Sequence, residues 1–189
     1  MLNKSEFNQI REEMGKLDMK REEIIQTSRV VINLSKQVIY AVQRNDLKDA
    51  ASAIKKIKEN VNKLRKVNIA TDTSINAVAF QEYVEAIAFY EFVKNGQVPT
   101  RASLGVSAED YLAGLCDLTG ELVRKAIYDV IHKKFGEAEI IKELVHDIYG
   151  EFLKLHLRNG ELRKKSDSIK WNLKKLEEVM YDIAIHKKH

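Results

Sequence analysis

The sequence predicts an all-α protein, an antiparallel bundle of six or seven helices forming one domain over residues 1–189. Three observations lead there. A single proline, Pro99, and eight glycines leave few positions where a helix is obliged to stop. Helix-forming Ala, Leu, Glu, Lys and Arg recur throughout, with no compact β-branched or aromatic runs bounded by hairpin turns. Apolar residues return at alternating steps of three and four, the spacing that lines one face of a helix.

The first helical segment runs from about Asn3 to Arg44, and its periodicity is clearest in the second half, through Ile24, Thr27, Val31, Leu34, Val38 and Ala41. Asn45-Asp46 supplies a break and an N-cap, after which Leu47, Ala50, Ile54, Ile57, Val61 and Leu64 carry the spacing on, so residues 47–66 should pair antiparallel with the helix before them. A third helix should begin near Thr71 to Ser74 and end at Asn95-Gly96; its dense apolar content, from Ile75 to Val93, makes it central. The only proline lies in the loop from Gly96 to Val106, and Ser107 with Asp110 resembles a capping box that uses Asp in place of Glu or Gln. Tyr111, Leu112, Leu115, Leu118, Leu122 and Val123 mark a fourth helix toward Ile131. Phe135-Gly136 reads as a break, followed by a fifth helix through Ile140, Ile141, Leu144, Val145, Ile148, Phe152 and Leu155 to about Asn159-Gly160. The last helix begins near Glu161 on the stripe Ile169, Leu173, Leu176, Met180 and Ile183.

One cysteine, Cys116, allows no intrachain disulfide and suits a reducing compartment. The first six residues lack the basic-then-apolar layout of a secretory signal, and no apolar run approaches the roughly 18 residues that cross a bilayer. The expectation is a cytoplasmic protein with no membrane partner. The net charge of +4 is unevenly placed: between Arg158 and Lys175 seven Arg or Lys stand against two acids. Such a run is either a solvated helix face or a surface for phosphates.

The strongest chemical signal is acidic. Glu82 and Glu85, three apart, share a face of the apolar third helix, where unpaired carboxylates are costly. They need basic partners, a shared proton or a cation. Asp117 and Glu121 form a second pair at i, i+4 on the next long helix, and a hairpin of the two helices would let the acidic faces converge. All-oxygen donors suit a hard ion such as Mg2+ or Mn2+. No Cys-x-x-Cys, His-Glu-x-x-His, P-loop or dinucleotide fingerprint is present. Cys116 reads as a core thiol, and His132, His146, His156, His186 and His189 as structural or surface residues, for want of any compact ligand spacing.

Two segments, Phe80-Gln81-Glu82-Tyr83-Val84-Glu85-Ala86 and Tyr111-Leu112-Ala113-Gly114-Leu115-Cys116-Asp117-Leu118-Thr119-Gly120-Glu121-Leu122, resemble the signature segments of the translin/TRAX family in their TRAX form. Lys20-Arg21-Glu22-Glu23-Ile24 through Ser28-Arg29 and Ser35-Lys36 resembles the TRAX first helix, while Leu162 to Lys170 and Lys174 to Asp182 are more similar to translin. The resemblance spans residues 16 to 186. It implies a seven-helix chain in a hollow, roughly octameric shell and a Mg2+-dependent endoribonuclease, Mn2+ being an alternative ion. It maps the catalytic, metal-holding acids onto Glu82, Glu85 and Asp117, with Glu121 as an additional ligand, an outer acid or a salt-bridge partner. Arg21, Lys36, Arg163, Lys164, Lys165, Lys170 and Lys174 become phosphate contacts for RNA or single-stranded DNA. A homo-octamer or related oligomer is implied, with a translin- or TRAX-type partner as a further option. The Gly96–Ser107 stretch is shorter than the insertion of animal TRAX. Translin-type chains usually carry an apolar residue where this one has Asp117, so the alternative of a non-catalytic nucleic-acid-binding shell is the less favoured.

Overall fold

A computed structural model describes residues 2–66 and 74–186, with His186 described for its backbone alone. Among these residues there are seven α-helices and no strand: α1 (Lys4–Gln43), α2 (Leu47–Lys66), α3 (Ser74–Asn95), α4 (Arg101–Leu104), α5 (Ala108–Ile131), α6 (Phe135–Leu153) and α7 (Glu161–His186). None is long and apolar enough to cross a membrane. The expected start of the third helix at Thr71 lies outside the described residues.

The helix ends follow local chemistry. Asn3 accepts hydrogen bonds from the amides of Ser5 and Glu6 and opens α1. Asn45 takes φ 61°, a left-handed conformation that asparagine tolerates, and Asp46 then accepts from the Asp49 amide to cap α2. Before α5, the Ser107 hydroxyl accepts from the Asp110 amide at 3.0 Å and donates to the Asp110 carboxylate at 2.7 Å. The box therefore closes hydroxyl to carboxylate. Between α5 and α6 the left-handed residue is Lys133, φ 62°, so the break falls ahead of Phe135-Gly136 and those two residues begin α6. Helix α6 stops at Leu153, short of the expected Asn159-Gly160, and residues 154–160 form a linker that takes Leu155 out of the helical stripe.

Only the second half of α1 is packed. Ile24, Val31, Val38, Ala41 and Val42 are buried against α2 and α3, whereas residues 2–23 are exposed throughout. The short turn at 44–46 folds α2 back along α1, as its spacing predicts.

The α3–α5 pair differs from the hairpin expected for it. Gln81 faces Asp110, while Phe92 and Val93 share a cavity with Lys125 and Asp129, so the two helices run the same way. Residues 96–107 form a crossover containing the one-turn helix α4, which the sequence reading treats as loop. Thr100 caps α4, Gly105 at φ 60° ends it, and the Arg65 guanidinium donates to the Leu104 carbonyl. The Tyr111 hydroxyl holds the same crossover through the Pro99 carbonyl at 3.0 Å. Helix α7 also runs with α5, since Asn172 meets Thr119 at 2.8 Å and Val179 and Ile183 line one cavity with Ile127 and Val130. Helix α6 returns the chain from the end of α5 to the start of α7 and packs against both.

Candidate functional site

A glycine sets how closely the two acid-bearing helices meet. A Cβ built on Gly114 would lie 2.6 Å from the Val84 Cβ and 2.7 Å from the Gln81 carbonyl oxygen, so any larger residue would push α5 off α3. With the helices parallel and in close contact, Glu82 and Glu85 from one and Asp117 and Glu121 from the other face the same region. The convergence expected from a hairpin is reached by a crossover.

The four acids have different surroundings. Glu85 is buried, 8% exposed, and neither it nor Glu82 makes a hydrogen bond or ion pair among the described residues. Burial first, then the nearby Asp117, Glu82 and Glu121 charges, push Glu85 up to about 8, with Lys165 opposing. Glu82 is raised for the same first reason, partly countered by Lys36. Asp117 is paired with Lys165 of α7, each side chain 34% exposed, and Lys165 also donates to the Gln81 side-chain oxygen at 3.2 Å. Glu121 accepts from Arg124 at 3.0 and 3.1 Å and from Gln43 at 2.9 Å. A cavity of about 350 Å3 opens onto Glu82, Glu85 and Glu121, and Lys36, Ile39, Tyr40 and Arg124 complete its lining.

Among the described residues, no three His, Cys, Asp or Glu side chains are gathered in an arrangement that could hold a metal ion. Two of the four acids are engaged by bases, Asp117 by Lys165 and Glu121 by Arg124. The donor chemistry nonetheless fits a hard cation. Every donor is a carboxylate, and the most buried one has no bonded counter-charge.

The basic residues divide into distinct environments. Lys36 lines the acid cavity, and Lys165 reaches into the acid cluster. Lys164 pairs with Glu161 at 2.7 Å, and Arg163 lies 3.7 Å from Asp167. Lys170 and Lys174 are exposed, the latter 6.0 Å from the Trp171 ring, and Arg21 stands on the projecting half of α1. Cys116 is buried and its thiol is pushed up to about 12, chiefly by burial, which leaves it inert at neutral pH. His132 bonds the Tyr128 carbonyl at 2.7 Å. Sequence reasoning gave no role to Gln43 and Arg124, nor to Gln81 and Gly114, which lie within the two family-like segments. Gly114 alone left a signal, a glycine inside an apolar helical pattern.

Among the described residues, fold and site define a bundle of seven helices with a buried carboxylate, Glu85, near three partly exposed acids and a basic helix. The chain belongs to the Translin family, whose sequence profile matches residues 19–187. Chicken translin is 38% identical over 77 residues, 41% of this chain and 34% of that protein, so the match spans about a third of the relative's length. The apo-NeC3PO structure superposes with a TM-score of 0.85 at 31% identity, covering 94% of this chain and 96% of that one. AfC3PO, solved in complex with duplex RNA, shares the fold with a TM-score of 0.84 at 24% identity, over 95% of this chain and 97% of that one.

Proposed function

We propose that this chain is a subunit of an oligomeric, Mg2+-dependent endoribonuclease. The observation that carries the reading is Glu85, a buried carboxylate crowded by three other acids with no bonded base of its own. Membership of the Translin family and the RNA-bound state of a protein sharing its fold favour RNA as the substrate. Glu82, Glu85 and Asp117 would hold Mg2+ or Mn2+, with Glu121 supporting them. When bound, the ion supplies neutralisation of charge on the scissile phosphate and activation of water for attack.

The chain's own residues then do the following. Glu85 releases its proton as the site is loaded, because its carboxyl is largely protonated at neutral pH. Lys165 leaves Asp117 and becomes free for the phosphate backbone. Lys36 and Arg124, on the wall of the acid cavity, hold a phosphate beside the acids. Specificity comes from backbone charge and strand access, since no base-reading motif accompanies the acids. The assembly is a homo-oligomer, an octamer or a related shell, and the protein acts in the cytoplasm.

The test is cleavage of an RNA by wild type, Glu85→Ala and Asp117→Ala in Mg2+ and in EDTA, with oligomeric state checked in parallel. Cleavage by wild type in Mg2+ alone is expected. Equal cleavage by all three proteins would contradict the site. A second reading, a non-catalytic shell that binds RNA or single-stranded DNA, is favoured by the Lys165–Asp117 pair, which occupies a catalytic acid with a base. It predicts salt-sensitive binding without turnover.

A further inference from the structure

A cavity of about 670 Å3 lies between the end of α6, the 154–160 linker and α7. Its volume falls in the range of small-ligand pockets, roughly 300–1,000 Å3. It is separate from the acid cluster, because α7 uses different faces for the two. Ile169, Leu173 and Leu176 are buried in the core, and Lys165 and Asn172 flank that stripe on the side toward Asp117 and Thr119. Arg163, Ser166, Asp167 and Lys170, at helical steps of three and four, line the cavity from the other flank.

The lining combines two chemistries. Trp171, the chain's only tryptophan, is 65% exposed at the cavity, off the core stripe of its own helix. Phe152 and Leu157 give the opposing wall an apolar surface, and Arg163, Lys170 and His156 supply donors. An aromatic face beside Arg163 and Lys170, on a segment where seven Arg or Lys stand against two acids, is an arrangement that can receive a base and its phosphate from a single strand, Arg163 turning to the phosphate from Asp167, which lines the same cavity 3.7 Å away.

We propose that this cavity is a pocket for one unpaired nucleobase of single-stranded nucleic acid, stacked on Trp171 with its phosphate at Arg163 and Lys170. The proposal rests on the nucleic-acid reading above, but not on cleavage. It assigns α7 two tasks on two flanks: Lys165 serves the acid cluster, while Arg163, Lys170 and Trp171 hold the strand. A duplex keeps its bases stacked inside and cannot place one here, so the pocket selects single-stranded segments.

The sole tryptophan makes the test direct. A decauridylate RNA is titrated into the full-length protein in EDTA, with tryptophan emission and fluorescence anisotropy of a labelled strand read together, and tripolyphosphate serving as the base-free control. Saturable quenching by the RNA and none by tripolyphosphate is expected. Trp171→Ala should weaken binding about tenfold, the loss typical of one stacked base, while Trp171→Phe keeps most of the affinity. Arg163→Gln and Lys170→Gln should each lower the salt dependence of binding. Binding without quenching, wild-type affinity in a folded Trp171→Ala, or emission that shifts with protein concentration alone, as when a second copy covers the ring, would overturn the pocket. Absence of any binding would overturn the nucleic-acid reading with it, whereas quenching by an RNA that is never cleaved in Mg2+ would overturn only the catalytic reading.

Discussion

Helix α5 takes part in two acidic environments, at Asp117 and at Asp129, about 18 Å apart along its axis by the rise per residue. Asp129 is fully buried, and Lys125, one turn back on the same helix, meets both of its oxygens at 2.5 and 2.6 Å. The Lys125 ammonium also lies 5.5 Å from the centre of the Tyr128 ring. Glu85, buried nearly as well beside Asp117, has only other acids close enough to raise it and one lysine, already bonded to Asp117, to lower it. Burial of an acid is therefore not what marks the candidate site. The mark is a buried acid whose counter-charge is missing, because such a group must take up a proton or a cation, whereas the Lys125–Asp129 pair is electrically closed and serves the packing of α3, α5 and α6.

The largest effect expected from this contrast is at the closed pair. Lys125→Ala leaves Asp129 buried and uncompensated and should cost about 3–5 kcal/mol in chemical denaturation. A loss under about 1 kcal/mol would mean that Asp129 tolerates burial alone and would break the comparison.

Glu85→Gln should do the opposite. The folded-state carboxyl at about 8 lies above the ordinary 4.5, so the fold favours the protonated form. The stability this contributes is complete below about pH 4.5 and is lost as pH rises through 8. Wild-type stability should fall by on the order of 2–4 kcal/mol across that window, and Glu85→Gln should flatten the curve and exceed wild type at pH 9. Thermal unfolding from pH 5 to 9 reads this, and equal slopes for both proteins would remove Glu85 from the account.

Gly114→Ala should cost about 1–3 kcal/mol, because its Cβ meets the Val84 Cβ and the Gln81 carbonyl. It should also separate α3 from α5 and bring Glu85 closer to its ordinary titration range, which NMR titration of the side-chain carboxyl would follow. Lys165→Met sharpens the comparison with the smallest change in stability. Its pair with Asp117 is a third exposed, so the loss should stay within about 1 kcal/mol by urea unfolding, while Glu85 moves further upward for want of its one opposing cation.

Much of the fold was legible because it depends on local rules. Many residues of the apolar stripes of α1, α2, α5 and α7 are buried, among them Val31, Ile57, Leu118 and Ile169, while Leu34, Leu47, Leu112 and Met180 are half-buried and Ile140 of the expected α6 stripe is exposed. Asn45-Asp46 and Ser107 mark caps that form where expected. Helix α4 escaped because a single turn has no periodicity to detect, and the start of α6 was misplaced because Lys133, not a glycine, takes the left-handed conformation. The direction of α5 relative to α3 is a tertiary choice. The crossover of residues 96–107 is long enough for it, but nothing local in the helices records it. The grouping of Glu82, Glu85, Asp117 and Glu121 was read from spacing and from family resemblance. The engagement of Asp117 by Lys165, 48 positions away, was not, because it depends on α7 packing along α5 and on which face of α7 that packing presents. The same rotation separates Lys165 from Arg163 and Lys170, which sequence alone places in one basic run.

The proposed function requires that Glu85 and its neighbours exchange a proton for a divalent cation. Isothermal titration of the oligomer with Mn2+ at pH 7, in two buffers of different ionisation enthalpy, tests it most directly. The prediction is binding coupled to release of close to one proton per ion, with the release lost in Glu85→Gln and the affinity reduced in Asp117→Asn. No binding at millimolar Mn2+, or binding with wild-type affinity and proton release in Glu85→Gln, would contradict it.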